Sequence, residues 1–212
     1  YSKNRITSET VELLVTLARE CGLEAYRDAM FSGGEVNPSE HRAALHTALR
    51  DPGDSPLPVD GSDVRPEIRD TLERMAGLVD AIRDGGYTGT TGKAITDVVN
   101  IGIGGSDLGP RLAVEAMAPW ADGPRVHFVA NADGWELEQV FNKVDPETTL
   151  FLVVSKSFGT PETMANAHQA MDWFRQRLGG GADLAKHFIA ITANTEKVQS
   201  LGLDTDRVLP MG

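Results

Sequence analysis

The rhythm of apolar and polar positions changes once along this chain, near residue 96. Before that point apolar residues recur at helical spacing. Residues 9–21 set Val11, Leu14, Val15, Ala18 and Cys21 on one face, and Gly22 follows where a helix would stop. In "NPSEHRAALHTALRDP" Asn37 is placed to cap, Pro38 suits the first helical position, Glu40 completes a capping-box-like pair and Pro52 enforces a stop. This pattern predicts a helix, with His41 and His46 on it. Residues 66–84 repeat Ile68, Leu72, Met75, Val79 and Ile82, a clean stripe at helical spacing that Gly85-Gly86 breaks. Between these helices "PLPVDG", residues 56–61, reads as an extended connector or short edge strand.

After residue 96 short apolar runs alternate with helical patterns. "TDVVNIGI" leads to "LGPRLAVEAM", "RVHFVAN" to "GWELEQVFNKV", "TTLFLVVS" to a helix from Pro161 to Leu178, and "KHFIAIT" to "NTEKVQSLG"; "DRVLP" reads as a fifth strand. Strands apolar on both faces and alternating with helices predict an α/β fold, a doubly wound parallel sheet covered on both sides. The expected division is a helical segment over 1–95, packing on a sheet domain over 96–212.

Parallel sheets bind ligands beyond the carboxyl ends of their strands, where loops lead into helix N-termini. Two such loops carry unusual chemistry. In "NIGIGGSDLGP", residues 100–110, Gly104 and Gly105 let backbone approach a ligand and Ser106 offers a hydroxyl. In "LFLVVSKSFGTPET", residues 150–163, Ser155, Ser157 and Thr160 supply hydroxyls and Lys156 a positive charge. Pro161 pre-sets the first turn of the following helix, which puts Thr160 at its N-cap. Free amides at a helix N-terminus with converging hydroxyls suit an anion, and the pair of loops points to a small phosphorylated ligand. Alone, either loop is also compatible with a tight turn or ordinary capping.

Composition narrows the ligand further. A net charge of −11 over 212 residues argues against broad attraction to nucleic acid. The 41% hydrophobic and 24% charged content is that of a globular chain, and no apolar run reaches the length of a membrane span. The dinucleotide fingerprint fails, because Asp107 stands where a third glycine is required; "TGTTGKA" lacks the spacing and the Ser/Thr of a P-loop and precedes a strand. His41, His46, His127, His168 and His187 show no metal-ligand spacing, and no metal or cofactor is expected. The single cysteine, Cys21, reads as a small core residue and fits a reducing compartment. The chain opens on Tyr1 and stops at Met211-Gly212 just after an expected strand, so both ends read as cut.

At these loops the sequence resembles the glucose-6-phosphate isomerase family. The resemblance takes in "YSKN", "HRAALHTALR", "YTGTTGKAITDVVNIGIGGSDLGP", "VDPETTLFLVVSK", "SKSFGTPETMANA" and "AKHFIAITANTEKV", in order and over essentially the whole chain. It implies a sugar-isomerase (SIS-type) sandwich with a five-stranded parallel sheet between helices. It also implies contact of Gly105 and Ser106 with a sugar phosphate, and a second phosphate loop formed by Ser155, Lys156, Ser157, Phe158, Gly159 and Thr160. Gly159 stands where the family has a threonine hydroxyl, and Trp135 where it usually has threonine; Glu162 matches the family's glutamate just inside the helix. The implied reaction interconverts an aldose and a ketose phosphate through a cis-enediol, with a glutamate moving the proton and an arginine stabilising the oxyanion. Those groups, with a histidine and a lysine, belong to the second half of the family's chain, so no catalytic residue is expected before residue 212. The resemblance further implies a cytoplasmic homodimer for the longer protein. A non-catalytic sugar-phosphate-binding module of the same fold is the alternative.

Overall fold

The computed structural model describes residues 3–203 and 208–211. The chain divides into two compact units, 1–70 and 71–212, and helix α3 (Arg65–Arg83) runs across the division.

In the first unit α1 (Ser8–Glu20) and α2 (Leu23–Phe31) are followed by two small hairpins, β1 (Glu35–Asn37) with β2 (Arg42–Ala43) and β3 (Pro58–Val59) with β4 (Ser62–Asp63). Thr7 and Thr10 form a reciprocal capping box that starts α1, and Gly22, at φ 73°, ends it. The helix expected from Asn37 onward does not form. Asn37 pairs with Arg42 across a hairpin, Ser39 Oγ donates to Asn37 Oδ1 at 2.8 Å, and His41 turns the corner at φ 51°. Asn, Pro and Ser are turn formers as readily as caps, and here the turn prevails. His46 sits instead in the 3₁₀ segment Leu45–Arg50. Cys21 is exposed, not a core residue, because α1 buries no side chain in this structure. The extended reading of 56–61 holds, as β3.

The second unit is built on β5 (Asp97–Ile101), β6 (Arg125–Val129), β7 (Thr149–Val154), β8 (Phe188–Thr192) and β9 (Val208–Pro210). All pairings are parallel and the order across the sheet is β6-β5-β7-β8-β9. The Asp206-Arg207 part of the expected fifth strand lies outside the described residues.

Helices α4 (Gly105–Met117), α5 (Gly134–Phe141) and α6 (Pro161–Leu178) connect the first strands. Alternation assigns the two faces. Val99, Ile101, Val129, Phe151, Val153, Phe188, Ala190 and Val208 point to one side, against Leu137 and Val140 of α5 and Ala167, Ala170, Met171 and Phe174 of α6. Stacked rings, Phe151 on Phe188 at 4.8 Å and Phe141 on Trp173 at 4.4 Å, fill this main core. Leu150 and Ile189 point to the other side, with Leu78 and Ile82 of α3 packed against that cluster. The second face is only partly covered. Of the stripe expected on α3, Leu72, Met75 and Val79 remain 47%, 41% and 50% exposed. The helix forms where its periodicity predicts, but Leu78 rather than Val79 turns toward the sheet.

At the amino end of the sheet, polar side chains clamp the strands. Asp97, fully buried, accepts from Arg125 at 2.8 Å, His127 Nε2 at 2.9 Å and Thr96 at 2.8 Å. Burial pushes its carboxyl up, but these donors outweigh burial and hold it below the ordinary carboxylate range. Buried His187 accepts the Thr90 N–H on Nε2 at 2.8 Å, so Nδ1 donates to Thr149 O at 2.7 Å. Burial pushes this imidazole down from its ordinary value, keeping it neutral.

Candidate functional site

The sheet order has one reversal. From β5 the chain moves outward to β6, then returns across β5 to β7, so connections leave these two neighbours in opposite directions. Loops at such a switch point diverge and leave a crevice at the carboxyl edge. The glycine loop follows β5 and the hydroxyl loop follows β7, so the two segments singled out in the sequence flank that crevice. Their strands are adjacent although β6 lies between them in sequence.

Close packing joins the loops. A Cβ on Gly102 would lie 2.8 Å from Ser106 Cβ, 3.0 Å from Ser106 O and 3.1 Å from Val154 O at the end of β7. Only glycine lets the β5 exit lie against both. Asn100, buried, donates from Nδ2 to Ser106 O at 3.0 Å, and Gly102 N–H donates to Val129 O at 3.1 Å. Gly104 caps α4 at φ 59°, ψ −120°, a region essentially restricted to glycine. A Cβ on Gly104 or Gly105 would meet nothing within 4 Å, so the bend of this loop borders open space. Ser106 N–H is engaged by Ile103 O at 3.2 Å, which leaves its hydroxyl as the group to offer a ligand. Gly105, at the first position of α4, has no carbonyl four residues back within the helix for its amide.

The second loop is held from below and behind. Ser155, 3% exposed, donates its N–H to Ile191 O at 3.1 Å, and its Oγ lies 3.1 Å from Thr160 Oγ1. Lys156 O accepts from Thr192 Oγ1 and Ala193 N–H, each at 3.0 Å, while the Lys156 residue is exposed. Phe158, at φ 48° and 3% exposed, is driven into the main core. Ser157 and Gly159, on either side of it, are exposed.

Thr160 occupies the N-cap of α6, as expected, but makes no side-chain cap bond; its hydroxyl pairs with Ser155 instead. Pro161 has no N–H, and the Glu162 and Thr163 amides lie in the turn whose donors have no intrahelical partner. Thr163 Oγ1 is buried with no hydrogen-bond partner in the described structure.

Two carboxylates at this end of the sheet are engaged. Asp107, buried in the first turn of α4, pairs with Arg111 at 2.9 Å, and Glu136 accepts the Ala130 and Asn131 amides at 2.8 Å each. Asn166 of α6 donates to Asn131 O at 2.8 Å, tying the β6 exit to the same end. Trp135, near the start of α5, is exposed. The sequence reading missed Asn100, Gly102, Thr192 and Lys197, whose Nζ lies 3.4 Å from Ser157 O. Only Gly102 carried a local signal, as the first glycine of its loop; Asn100 acts by a side-chain bond to a backbone carbonyl within that loop, and Thr192 and Lys197 reach the site from positions far away in sequence. His127 and His187 lie at the opposite edge of the sheet. No group of three or more His, Cys, Asp or Glu that could hold a metal occurs among the described residues, and no helix among them is long and apolar enough to cross a membrane.

The likeness to solved structures agrees with this architecture. The chain is similar to a glucose-6-phosphate isomerase from Chlamydia trachomatis, with 29% identity and a TM-score of 0.76, over 99% of this chain and 39% of that one. It shares its fold with a hypothetical protein from Thermus thermophilus, with 22% identity and a TM-score of 0.62, over 94% of this chain and 40% of that one. The chain thus spans about two fifths of the length of these relatives. With the phosphoglucose isomerase family model matching residues 1–212 from end to end, the chain belongs to the phosphoglucose isomerase family.

Proposed function

We propose that residues 1–212 form the phosphate-binding part of a glucose-6-phosphate isomerase, which interconverts glucose 6-phosphate and fructose 6-phosphate through a cis-enediol. The observation that carries this reading is the meeting of the glycine loop and the hydroxyl loop at the switch point, in a chain matched over its whole length by the family model. The phosphoryl group lies between the Gly104–Gly105 bend and the start of α6. Ser106, Ser155, Ser157 and Thr160 donate hydroxyls, Lys156 adds charge, and Gly105 and Gly159 keep the approach open. Phosphate takes no part in the proton transfer. Its binding energy instead holds the reacting carbons in place against groups supplied by the rest of the enzyme.

Those groups, the proton-moving glutamate and the oxyanion-stabilising arginine, belong to the part of the protein beyond residue 212. The engagement of Asp107 by Arg111 and of Glu136 by two loop amides supports this division, since neither carboxylate is poised as a base. The longer protein acts on this reading as a cytoplasmic homodimer.

Calorimetry with 6-phosphogluconate and a coupled assay with fructose 6-phosphate on the full-length protein, extending beyond residue 212, test the proposal together. Binding with turnover is expected. Binding without turnover would instead make the protein a non-catalytic sugar-phosphate module, and absence of binding would overturn the site.

A further inference from the structure

The hydroxyl loop is approached from a third direction, by the segment that follows β8. Asn194 caps the 3₁₀ turn Thr195–Leu201 by accepting the Lys197 N–H at 3.4 Å. Val198 and Leu201 of this turn are buried in the main core, which fixes the turn while Lys197 faces outward. The end of β8 is joined to the hydroxyl loop by the two bonds from Thr192 Oγ1 and Ala193 N–H to Lys156 O. Lys197 Nζ then reaches Ser157 O at 3.4 Å, a long bond near the outer limit of such contacts. A Cβ built on Gly159 would lie 3.4 Å from the same ammonium and 3.8 Å from Ser157 Oγ. The ammonium and the Ser157 hydroxyl therefore both border position 159, where glycine leaves the space between them open.

Charge makes this placement consequential. The hydroxyls are neutral, each helix N-terminus is equivalent to only about half a positive charge, and Asp107 and Glu136 stand at the same end of the sheet as Lys156, the loop's own cation. An ammonium at the rim supplies a full charge and a charge-assisted donor for an anionic oxygen.

We propose that Lys197 is a phosphate-binding residue of this site, reaching across Gly159 to the phosphoryl oxygens and selecting the dianion over the monoanion. This rests on the phosphate site proposed above. It adds to the charge of Lys156 a second cation, forty positions from the loop it serves.

The test is calorimetry on the full chain with inorganic phosphate and with 6-phosphogluconate, comparing wild type, Lys197→Met and Lys197→Arg between pH 5.5 and 7.5 and at two salt concentrations. In wild type, affinity should rise as the phosphoryl group loses its second proton near pH 6. Lys197→Met should bind both probes about tenfold to a hundredfold more weakly, with a flatter pH rise and a smaller salt dependence. Lys197→Arg should retain most of the affinity and the pH rise. If Lys197→Met keeps wild-type affinity or an undiminished pH rise, Lys197 only buttresses the loop and the inference is wrong, while the phosphate site stands. If wild type binds neither probe, the phosphate site itself falls and the inference with it.

Discussion

Two glycines three residues apart should fail in opposite ways when each gains one methyl group. Alanine at Gly102 would put Cβ 2.8 Å from Ser106 Cβ, 3.0 Å from Ser106 O and 3.1 Å from Val154 O, all inside ordinary van der Waals contact. Two of these atoms are backbone, belonging to a strand end and a helix start that cannot turn aside. Overpacking of this kind costs roughly 1–3 kcal/mol, equivalent to a drop of about 2–12 °C in melting temperature for a chain of this size. Alanine at Gly105 meets nothing within 4 Å, and no positive φ requires glycine there. Restricting the unfolded chain should leave that variant unchanged or more stable by about 0.4–1 kcal/mol. Its new methyl nevertheless enters the open space beside the bend, and binding of 6-phosphogluconate should fall by roughly tenfold, equivalent to about 1.4 kcal/mol. Differential scanning calorimetry and ligand titration of both variants separate the effects. A Gly105→Ala protein that binds like wild type would show that the α4 entrance does not approach the phosphate. A Gly102→Ala protein that melts like wild type would refute the packing that joins the loops.

Other substitutions test the remaining parts. Ser155→Ala and Thr160→Ala should each weaken 6-phosphogluconate binding by roughly tenfold to a hundredfold in titration. Because their hydroxyls pair with each other, the double variant should lose less stability than the sum of the singles in a denaturant cycle. Asp97 is held below the ordinary carboxylate range, so its contribution to stability is present above the unfolded-state value of 3.8 and is lost as pH falls through the lowered folded value. Urea melts of Asp97→Asn against wild type from pH 6 to 2.5 should show a smaller acid-driven decline in the variant. His187 also titrates lower when folded, and its contribution is full above 6.5 and lost as pH falls from there through the lowered value. His187→Gln should flatten stability between pH 7 and 5; an unchanged slope would show that the neutral ring is not what acid disrupts.

The sequence revealed most where local chemistry and tertiary need coincide. The runs over β5, β7 and β8 are apolar on both faces because Val99, Phe151 and Phe188 face the main core while Val98, Leu150 and Ile189 face the second cluster, and Pro161 and Gly179 bracket α6 with signals that act within one turn. Asn37-Pro38-Ser39 carries signals that serve a cap and a turn equally, and nothing nearby decides between them. On α3 the 3.6-residue period identifies a helix but not the side that is buried; Leu78 and Val79 differ by one position and exchange roles. Thr160 was placed correctly along the chain, yet its bond to Ser155 closes a turn that no spacing rule encodes. The adjacency of the two candidate loops follows from the strand order, with β6 displaced to the edge, and Lys197 enters through that same long-range arrangement.

Phe158 gives the hydroxyl loop a division of labour. Its ring is anchored among the core side chains at the cost of a left-handed backbone, while Lys156, Ser157 and Gly159 around it face solvent. The loop's shape is therefore specified from within by a residue that no ligand needs to touch. Its exposed neighbours are left with side chains on which the core makes no demand. Such a loop can be rewritten at three positions while its path is kept, which makes it a natural place for ligand preference to drift among proteins of one fold, or to be redirected by design.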